Sequence, residues 1–182
     1  MKQQPLKIVV SGPESTGKTE LARHLCGILR VEYIPEYARS YVESLNRPYA
    51  YEDVEHIAGE QVRELQEATE RGSGIIVLDT YLVITKVWFM EVYHRVPAWI
   101  DLQLKESGID LFLLCYYDIE WVKDPVRENP GPRRQYLYQR YLEEIELLGI
   151  RCEEIRGTGP RRLENAIRAV LRQFPQLENR TI

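Results

Sequence analysis

The feature that most constrains the fold is the segment Gly12–Thr19, which reads Gly-Pro-Glu-Ser-Thr-Gly-Lys-Thr and directly follows the β-type run Lys7–Ser11. It matches G-x-x-x-x-G-K-[ST] and leads into a helical pattern, which is the context that a phosphate-binding loop requires. Glycines let the backbone wrap around a phosphate chain, and N–H groups at a helix N-terminus carry partial positive charge. A turn that only joins a strand to a helix is disfavoured, because all four defining positions are present. The segment therefore predicts nucleotide binding.

This loop also predicts specific roles for two side chains. The Lys18 ammonium would reach the β and γ phosphates of ATP, and the Thr19 hydroxyl would ligate Mg²⁺. The loop leaves open where the γ phosphate goes. Transfer to water would make the protein an ATPase or a switch, whereas transfer to a small acceptor would make it a kinase.

Five short β-type runs alternate with longer helical patterns: Lys7–Ser11, Val31–Ile34, Gly74–Asp79, Asp110–Tyr116 and Arg151–Ile155. This alternation is typical of an α/β fold with a parallel sheet covered by helices on both faces. Helical patterns follow Val54, span Arg134–Leu148 and begin near Pro160, the last with a predicted core stripe of Leu163, Ala166, Ile167, Val170, Leu171 and Phe174. With no internal repeat or linker, we expect residues 1–182 to form a single domain.

Charge and cysteine content exclude other classes of protein. The 24 Lys and Arg against 28 Asp and Glu give a net charge of −4, which disfavours a general nucleic-acid binder. Cys26, Cys115 and Cys152 lack metal-site or redox spacing, so we expect free buried thiols. Neither a signal peptide nor a membrane-spanning apolar run is evident. We expect a soluble, cytoplasmic protein.

Two carboxylates follow predicted strands, at the edge of a parallel sheet where ligands bind. Asp79 ends an apolar strand and is predicted to bind Mg²⁺ or orient an acceptor hydroxyl; the alternative is a helix-capping Asp. Glu36 is predicted to face the γ phosphate from the acceptor side and to bind or deprotonate a hydroxyl there. Arg39, one turn on, would keep Glu36 ionised. Alternatively, Glu36 is an ordinary first-turn residue paired with Arg39 in the helix.

Three further side chains are candidates for the acceptor site. Gln61 lies on an apolar helical stripe, so its amide must find either a substrate or a backbone partner. Tyr37 and Trp88 follow the second and third strands and are candidates for stacking on a base, although most aromatic residues belong to the core or its rim. The three histidines show no metal-ligand spacing and are expected at the surface.

The segment from Asp124 to Arg134 is dense in Pro, Gly and Arg and is predicted to be a lid, within a broader region of residues 118–139. A phosphoryl-transfer site must exclude water and supply cations to the γ phosphate. Arg127 and Arg133 are the predicted catalytic donors, and Arg134 would contribute to nucleotide binding. The alternative is a solvated face in which these arginines pair with Asp124 and Glu128.

Together, the Gly12–Thr19 loop, the block Glu36–Tyr41, Asp79-Thr80, Trp121-Val122 and Arg127 resemble the kinase domain of NadR-type nicotinamide riboside kinases. The resemblance spans nearly the whole chain. It implies ATP-dependent phosphorylation of nicotinamide riboside to the mononucleotide, on a five-stranded nucleotide-kinase fold with strand order 2-3-1-4-5. Pro35 stands where members of that family often have a tryptophan, and Tyr81 where they often have a second acidic residue.

We therefore interpret the chain as a P-loop kinase of a small nucleoside, with no nucleic-acid or membrane partner. The alternatives are a kinase for another nucleoside and a regulatory NTP-binding module that acts through a protein partner. Lys18, Glu36, Asp79, Arg127 and Arg133 are the predicted catalytic residues. The predicted nucleotide-binding residues are Gly12, Pro13, Glu14, Ser15, Thr16, Gly17, Lys18, Thr19 and Arg134. The predicted acceptor residues are Glu36, Tyr37, Arg39, Gln61 and Trp88, and Thr19 and Asp79 would hold Mg²⁺.

Overall fold

The computed structural model describes residues 4–72, 74–124 and 127–180. Five strands form one parallel sheet in the order β2-β3-β1-β4-β5, which confirms the predicted fold class and strand order. The strands are β1 (Leu6–Ser11), β2 (Glu32–Ile34), β3 (Ile75–Asp79), β4 (Leu111–Cys115) and β5 (Arg151–Ile155). Each differs from its predicted range by at most one residue at either end.

Seven α-helices connect and cover these strands: α1 (Lys18–Leu29), α2 (Tyr37–Ser44), α3 (Tyr51–Arg71), α4 (Leu82–Trp88), α5 (Trp99–Glu106), α6 (Pro132–Leu148) and α7 (Gly159–Gln173), counted over the described ranges. Helix α4 continues into a short π-helix, Phe89–Tyr93, and a 3₁₀ helix, Pro175–Arg180, follows α7. Among the described residues, none of the helices combines the length and the apolar character needed to cross a membrane.

Two apolar layers enclose the sheet, because its central strands are buried on both faces. Helices α3, α4, α5 and α6 pack on one face, where Ala58 and Leu104 are fully covered or nearly so. Helices α1 and α7 pack on the other face, around Leu25 and Val170. The central strands bury apolar residues on both faces, and this burial holds the strands in place. The positions of the loops that follow the strands, which carry polar side chains, are set in the same way.

The last helix and one cysteine differ from the sequence expectation. In α7 the buried apolar residues are Ala166, Ala169 and Val170, with Phe174 buried just beyond its end, whereas Leu163, Ile167 and Leu171 pack only partly against the core. The predicted stripe was therefore too wide. Cys26 and Cys115 are free and buried as expected, but Cys152 is only half-buried because it lies on the edge strand β5.

Candidate active site

The phosphate-binding loop lies between β1 and α1, and two glycines explain its shape. Gly12 has φ +140°, and a Cβ there would lie 2.7 Å from the carbonyl oxygen of Cys115. Gly17 has φ +73° and precedes the first turn of α1. Because side chains are strained at both positions and space is lacking at Gly12, the local backbone requires glycine.

Polar bonds within the loop hold its curvature. The buried Thr16 hydroxyl donates to the carbonyl of Pro13 at 2.9 Å, and the Lys18 ammonium donates to the same carbonyl at 2.9 Å. Lys18 thus folds back over the loop whose phosphate site it is predicted to serve.

A cavity of about 720 Å³ extends from this loop across the carboxyl edge of the sheet. Thirteen of the predicted site residues line it: Gly12, Glu14, Ser15, Thr16, Gly17, Lys18, Thr19, Glu36, Arg39, Gln61, Trp88, Arg127 and Arg133. Pro13, Tyr37, Asp79 and Arg134 do not line it. The cavity therefore has a phosphate half at the loop and a second half bounded by α2, α3, α4 and the segment before α6.

Asp79 lies beside the cavity rather than in its wall. Its side chain is buried, and Oδ2 accepts a 3.2 Å hydrogen bond from the Tyr33 hydroxyl. The other oxygen, Oδ1, is buried and finds no hydrogen-bond partner among the described residues. Tyr81 rather than Asp79 occupies the N-cap position of α4, so the helix-capping interpretation of Asp79 was wrong.

This arrangement fits a divalent cation. A buried carboxylate oxygen without a partner is costly unless a cation or an ordered water satisfies it, and carboxylate and hydroxyl oxygens are suitable ligands for Mg²⁺. Asp79 ends β3, which pairs with the strand leading into the loop, so Asp79 lies opposite Val10. Thr19 follows in the first turn of α1. The assignment of Thr19 and Asp79 to Mg²⁺ stays a prediction that this geometry supports.

Glu36 precedes the first turn of α2 and is half-buried in the cavity wall. Burial raises its pKa above the ordinary carboxyl value, and the charge of Asp79 adds to the shift, although Lys18, Arg39 and Arg127 oppose it. Arg39 is one of three cations that favour the ionised form, but desolvation outweighs them, so the expectation that Arg39 keeps Glu36 ionised stays a prediction. Glu36 is therefore close enough to Lys18 of the loop and to Arg39 and Arg127 for their charges to act on its carboxyl.

Arg39 binds other carboxylates. Its guanidinium contacts Glu43 at 2.9 Å and Asp124 at 2.5 Å. The alternative in which Glu36 is simply the helical partner of Arg39 was therefore wrong. Arg39 instead joins α2 to the segment before α6.

Gln61 satisfies its amide in a way that the sequence did not predict. Its Oε1 accepts a 2.7 Å hydrogen bond from the Thr85 hydroxyl, where a backbone group or a substrate was expected. Both residues are buried and both line the cavity. The bond links α3 to α4 under the second half of the cavity.

The two aromatic candidates have different positions. The Tyr37 hydroxyl lies 3.0 Å from Nε2 of His56 and its ring stacks on Tyr41, so the side chain packs against α3 outside the cavity. Trp88 lines the cavity and meets the ring of Tyr49 edge to face, with centroids 4.8 Å apart. Only Trp88 has the position expected of a residue that stacks on an acceptor.

The three arginines of the predicted lid also differ. Arg127 lines the cavity, donates to the carbonyl of Val122 at 2.7 Å and lies 3.8 Å from Asp124. Arg133 lines it too and binds Glu91 of the π-helix at 2.7 Å. Pro125 and Val126 of this segment lie outside the described residues.

Arg134 is buried and donates to two backbone carbonyls, those of Ser15 and Ile119, at 2.7 Å each. These bonds fasten the start of α6 to the phosphate-binding loop. A direct contact between Arg134 and a nucleotide stays a prediction, and the geometry favours a supporting role.

Comparison with known proteins agrees with this geometry. The AAA domain family matches residues 7–162. The chain belongs to this family of P-loop domains. It is 26% identical over 155 residues to the trifunctional NAD biosynthesis/regulator protein NadR of Escherichia coli strain K12, which confirms the resemblance noted in the sequence. That match covers 81% of this chain and 38% of NadR, so the chain spans less than two fifths of its relative.

Solved structures show the same fold. A NadR protein in complex with NR matches this AAA domain with a TM-score of 0.73 and 24% identity, over 96% of this chain and 53% of that chain. A thymidylate kinase from Ehrlichia chaffeensis matches with a TM-score of 0.62 and 12% identity, over 92% and 98% of the two chains. At these identities the likeness establishes the architecture alone.

Among the residues of this AAA domain that line the cavity without having been predicted as site residues are Thr80, Tyr49 and Glu91. Thr80 is buried with φ +69°, an uncommon backbone conformation that often marks a functional site. Tyr49 and Glu91 lie in a loop and in the π-helix, with no motif around them. Thr80 follows the predicted carboxylate Asp79 directly, so its position at a strand end was the one available signal.

Proposed function

We propose that the chain is an ATP-dependent nucleoside kinase and that its acceptor is nicotinamide riboside. The observation that supports this most strongly is that Glu36 shares one cavity with Lys18, with burial raising the pKa of the Glu36 carboxyl. A carboxylate held in this way at the phosphate site is suited to receive a proton from an attacking hydroxyl. A switch that transfers phosphate to water has no need of the second half of the cavity.

The phosphate half of the cavity has the parts that phosphoryl transfer requires. The loop Gly12–Thr19 supplies backbone N–H groups at the start of α1, and Lys18 supplies an ammonium, which donates to the carbonyl of Pro13 at 2.9 Å. Arg127 also lines the cavity, and its guanidinium lies 3.5 Å from the Ser15 Oγ of the loop. When bound, Mg²⁺ would neutralise charge on the β and γ oxygens, with Thr19 and Asp79 as its protein ligands.

The acceptor half suits a ring-bearing sugar compound. Trp88 and Tyr49 form an aromatic corner, and Gln61 and Glu36 provide groups for hydroxyls and amides. The second half of the cavity is therefore apolar on one side and hydrogen-bonding on the other, as small-molecule sites usually are. NadR, the relative with a solved complex with NR, supports nicotinamide riboside as this acceptor.

In the proposed reaction, an acceptor hydroxyl oxygen forms a bond to the γ phosphorus of ATP while the bond to the bridging oxygen of ADP breaks. The hydroxyl proton passes to the Glu36 carboxylate, which must be ionised beforehand. Lys18, Arg127 and Arg133 stabilise the charge on the transferred group. Because ATP and nucleosides are cytoplasmic metabolites, we place the protein in the cytoplasm.

A direct test is to offer nicotinamide riboside, uridine and adenosine in parallel with ATP and Mg²⁺, and to measure ATP consumption and the phosphorylated product. We expect nicotinamide riboside to give the highest kcat/KM. Greater activity with uridine or adenosine would keep the kinase and reject the acceptor. If no nucleoside raises ATP consumption above background hydrolysis, the kinase proposal fails and a regulatory NTP-binding module becomes the better account.

A further inference from the structure

The carboxylate of Glu14, a variable position of the phosphate-binding loop, is bound to the segment before α6. Glu14 Oε2 accepts hydrogen bonds from the backbone N–H groups of Glu128 and Asn129, both at 3.0 Å. Its Oε1 accepts one from Asn129 Nδ2 at 2.8 Å. Two consecutive N–H groups and a side-chain amide thus surround one carboxylate, an arrangement that holds an anion firmly.

The next residue, Ser15, binds the same segment at a second point. Its Oγ accepts from the N–H of Val122 at 3.0 Å and lies 3.2 Å from the carbonyl oxygen of Glu120, to which it donates. Ser15 has φ +57°, uncommon for a residue other than glycine. The surrounding contacts stabilise this conformation, which places the side chain against the segment.

These two attachments lie on either side of Arg127. Ser15 holds Val122, to whose carbonyl Arg127 donates, and Glu14 holds Glu128, the residue after Arg127. We propose that Glu14 is a positioning residue, which holds the backbone beside Arg127 so that its guanidinium stays over the phosphate half of the cavity. This proposal rests on the proposed kinase function but concerns a different part of the site.

The physical reason is that the Arg127 side chain is held mainly by the backbone of its own segment. It donates to the carbonyl of Val122 at 2.7 Å, whereas its closest carboxylate, Asp124, is 3.8 Å away and also binds Arg39. If that backbone shifts, the guanidinium shifts with it, and a displacement of about 1 Å at a reacting group lowers a rate about a hundredfold. Fixing the backbone at Glu128 limits this shift at a distance from the reacting atoms.

The test compares Glu14→Ala with Glu70→Ala, a control that removes an exposed carboxylate near the end of α3. Trypsin cleavage after Lys123 and Arg127 is followed with Mg²⁺ and a non-hydrolysable ATP analogue. Without the Glu14 contacts, this cleavage should be about tenfold faster than in the wild type and the control. The hydrogen bonds to the Glu14 carboxylate otherwise oppose the local unfolding of the segment that trypsin requires. This readout needs no acceptor, so it separates failure of this proposal from failure of the kinase proposal.

Steady-state kinetics provide the second readout. In Glu14→Ala, kcat should fall about tenfold or more with little change in ATP affinity, since the phosphate-binding N–H groups of the loop remain. Adding Arg127→Ala should then have little further effect, since both changes remove the same group from the phosphate site. Glu14→Gln keeps the length of the side chain and one acceptor oxygen, so its kcat should lie between those of the wild type and Glu14→Ala.

Asn129→Ala is a second variant in case Glu14→Ala misfolds the loop. It removes a donor to Glu14 from the other side of the contact and leaves the loop sequence unchanged. It should show the same pattern to a smaller degree. The proposal is overturned if Glu14→Ala resists trypsin as the wild type does, if its loss of activity arises wholly from weaker ATP binding, or if its effect and that of Arg127→Ala are additive.

Discussion

Arg39 donates a 2.5 Å hydrogen bond to Asp124, which joins helix α2, on the acceptor side, to the segment that carries Arg127. The Tyr49 hydroxyl makes a second link of this kind, donating to Glu128 at 3.1 Å. Together with the contacts of Glu14 and Ser15, these bonds connect one segment to both halves of the cavity. Arrival of an acceptor and of a nucleotide would therefore act on the same stretch of backbone.

Asp124→Asn tests that link. The change leaves an uncharged amide beside Arg39, so we expect kcat/KM for the acceptor to fall several-fold while ATP affinity changes little. The free energy of unfolding should change by less than about 1 kcal/mol, since partly exposed ion pairs contribute little. Initial rates at varied acceptor concentration and an ATP titration provide the two measurements. An equal loss of kcat/KM for the acceptor and of ATP affinity would show that Asp124 does not act specifically on the acceptor side.

Lys18→Ala should abolish turnover while the melting temperature without nucleotide changes little. The ammonium is only half-buried, and its hydrogen bond is to Pro13 within the loop, so few contacts of the folded protein depend on it. Loss of a cation that stabilises the transition state usually costs a hundredfold or more in kcat, about 3 kcal/mol. Turnover above about a tenth of the wild-type rate would reject the role assigned to Lys18.

Asp79→Asn should reduce turnover with every acceptor and raise the Mg²⁺ concentration needed for half-maximal activity. The unpartnered Oδ1 of Asp79 is the oxygen we assign to the metal, and an amide is a weaker ligand for Mg²⁺ than a carboxylate. ATP consumption measured over a Mg²⁺ titration tests this. An unchanged Mg²⁺ requirement would remove Asp79 from the metal site.

Local patterns predicted the fold well, and most of the loop residues that they indicated line the cavity, since a loop motif and strand burial depend on neighbouring residues. The acceptor half was predicted less well, because its partners are distant in the chain. Arg39 was expected to serve Glu36, three residues earlier, but binds Asp124 85 residues away. Gln61 was assigned a backbone or substrate partner and found Thr85, 24 residues away. Spacing along a helix shows which residues share a face, not which distant group approaches it.

The Gln61–Thr85 bond makes a prediction about stability. Thr85→Val keeps the shape of the side chain but leaves a buried amide oxygen without its donor, so the free energy of unfolding should fall by about 1–3 kcal/mol. In Thr85→Val/Gln61→Leu both polar partners are gone, and much of that loss should be recovered. Urea unfolding of the wild type, both single variants and the double variant completes the cycle. A coupling energy near zero would show that the bond contributes nothing.

Glu36 predicts two opposite pH effects. Burial raises the pKa of Glu36 in the folded protein, so folding favours the protonated carboxyl. The stability that Glu36 contributes is therefore full below the ordinary carboxyl pKa and is lost as pH rises through the raised pKa. Glu36→Gln should therefore melt at a higher temperature than the wild type at neutral pH, with the difference vanishing near about pH 4. Activity has the opposite dependence, since a base must be ionised.

The acid limb of wild-type kcat/KM should accordingly have its midpoint above the ordinary carboxyl pKa of about 4.3. Glu36→Gln should lose acceptor phosphorylation while binding ATP with nearly wild-type affinity, which a titration without acceptor measures. Glu64→Gln is a matched control, because burial also raises the pKa of that carboxyl, yet it does not line the cavity. If Glu36→Gln phosphorylates nicotinamide riboside as fast as the wild type at low acceptor concentration, the proton acceptor lies elsewhere. If instead both Gln variants lose activity equally, the effect belongs to the loss of a buried carboxylate in general and not to the acceptor site.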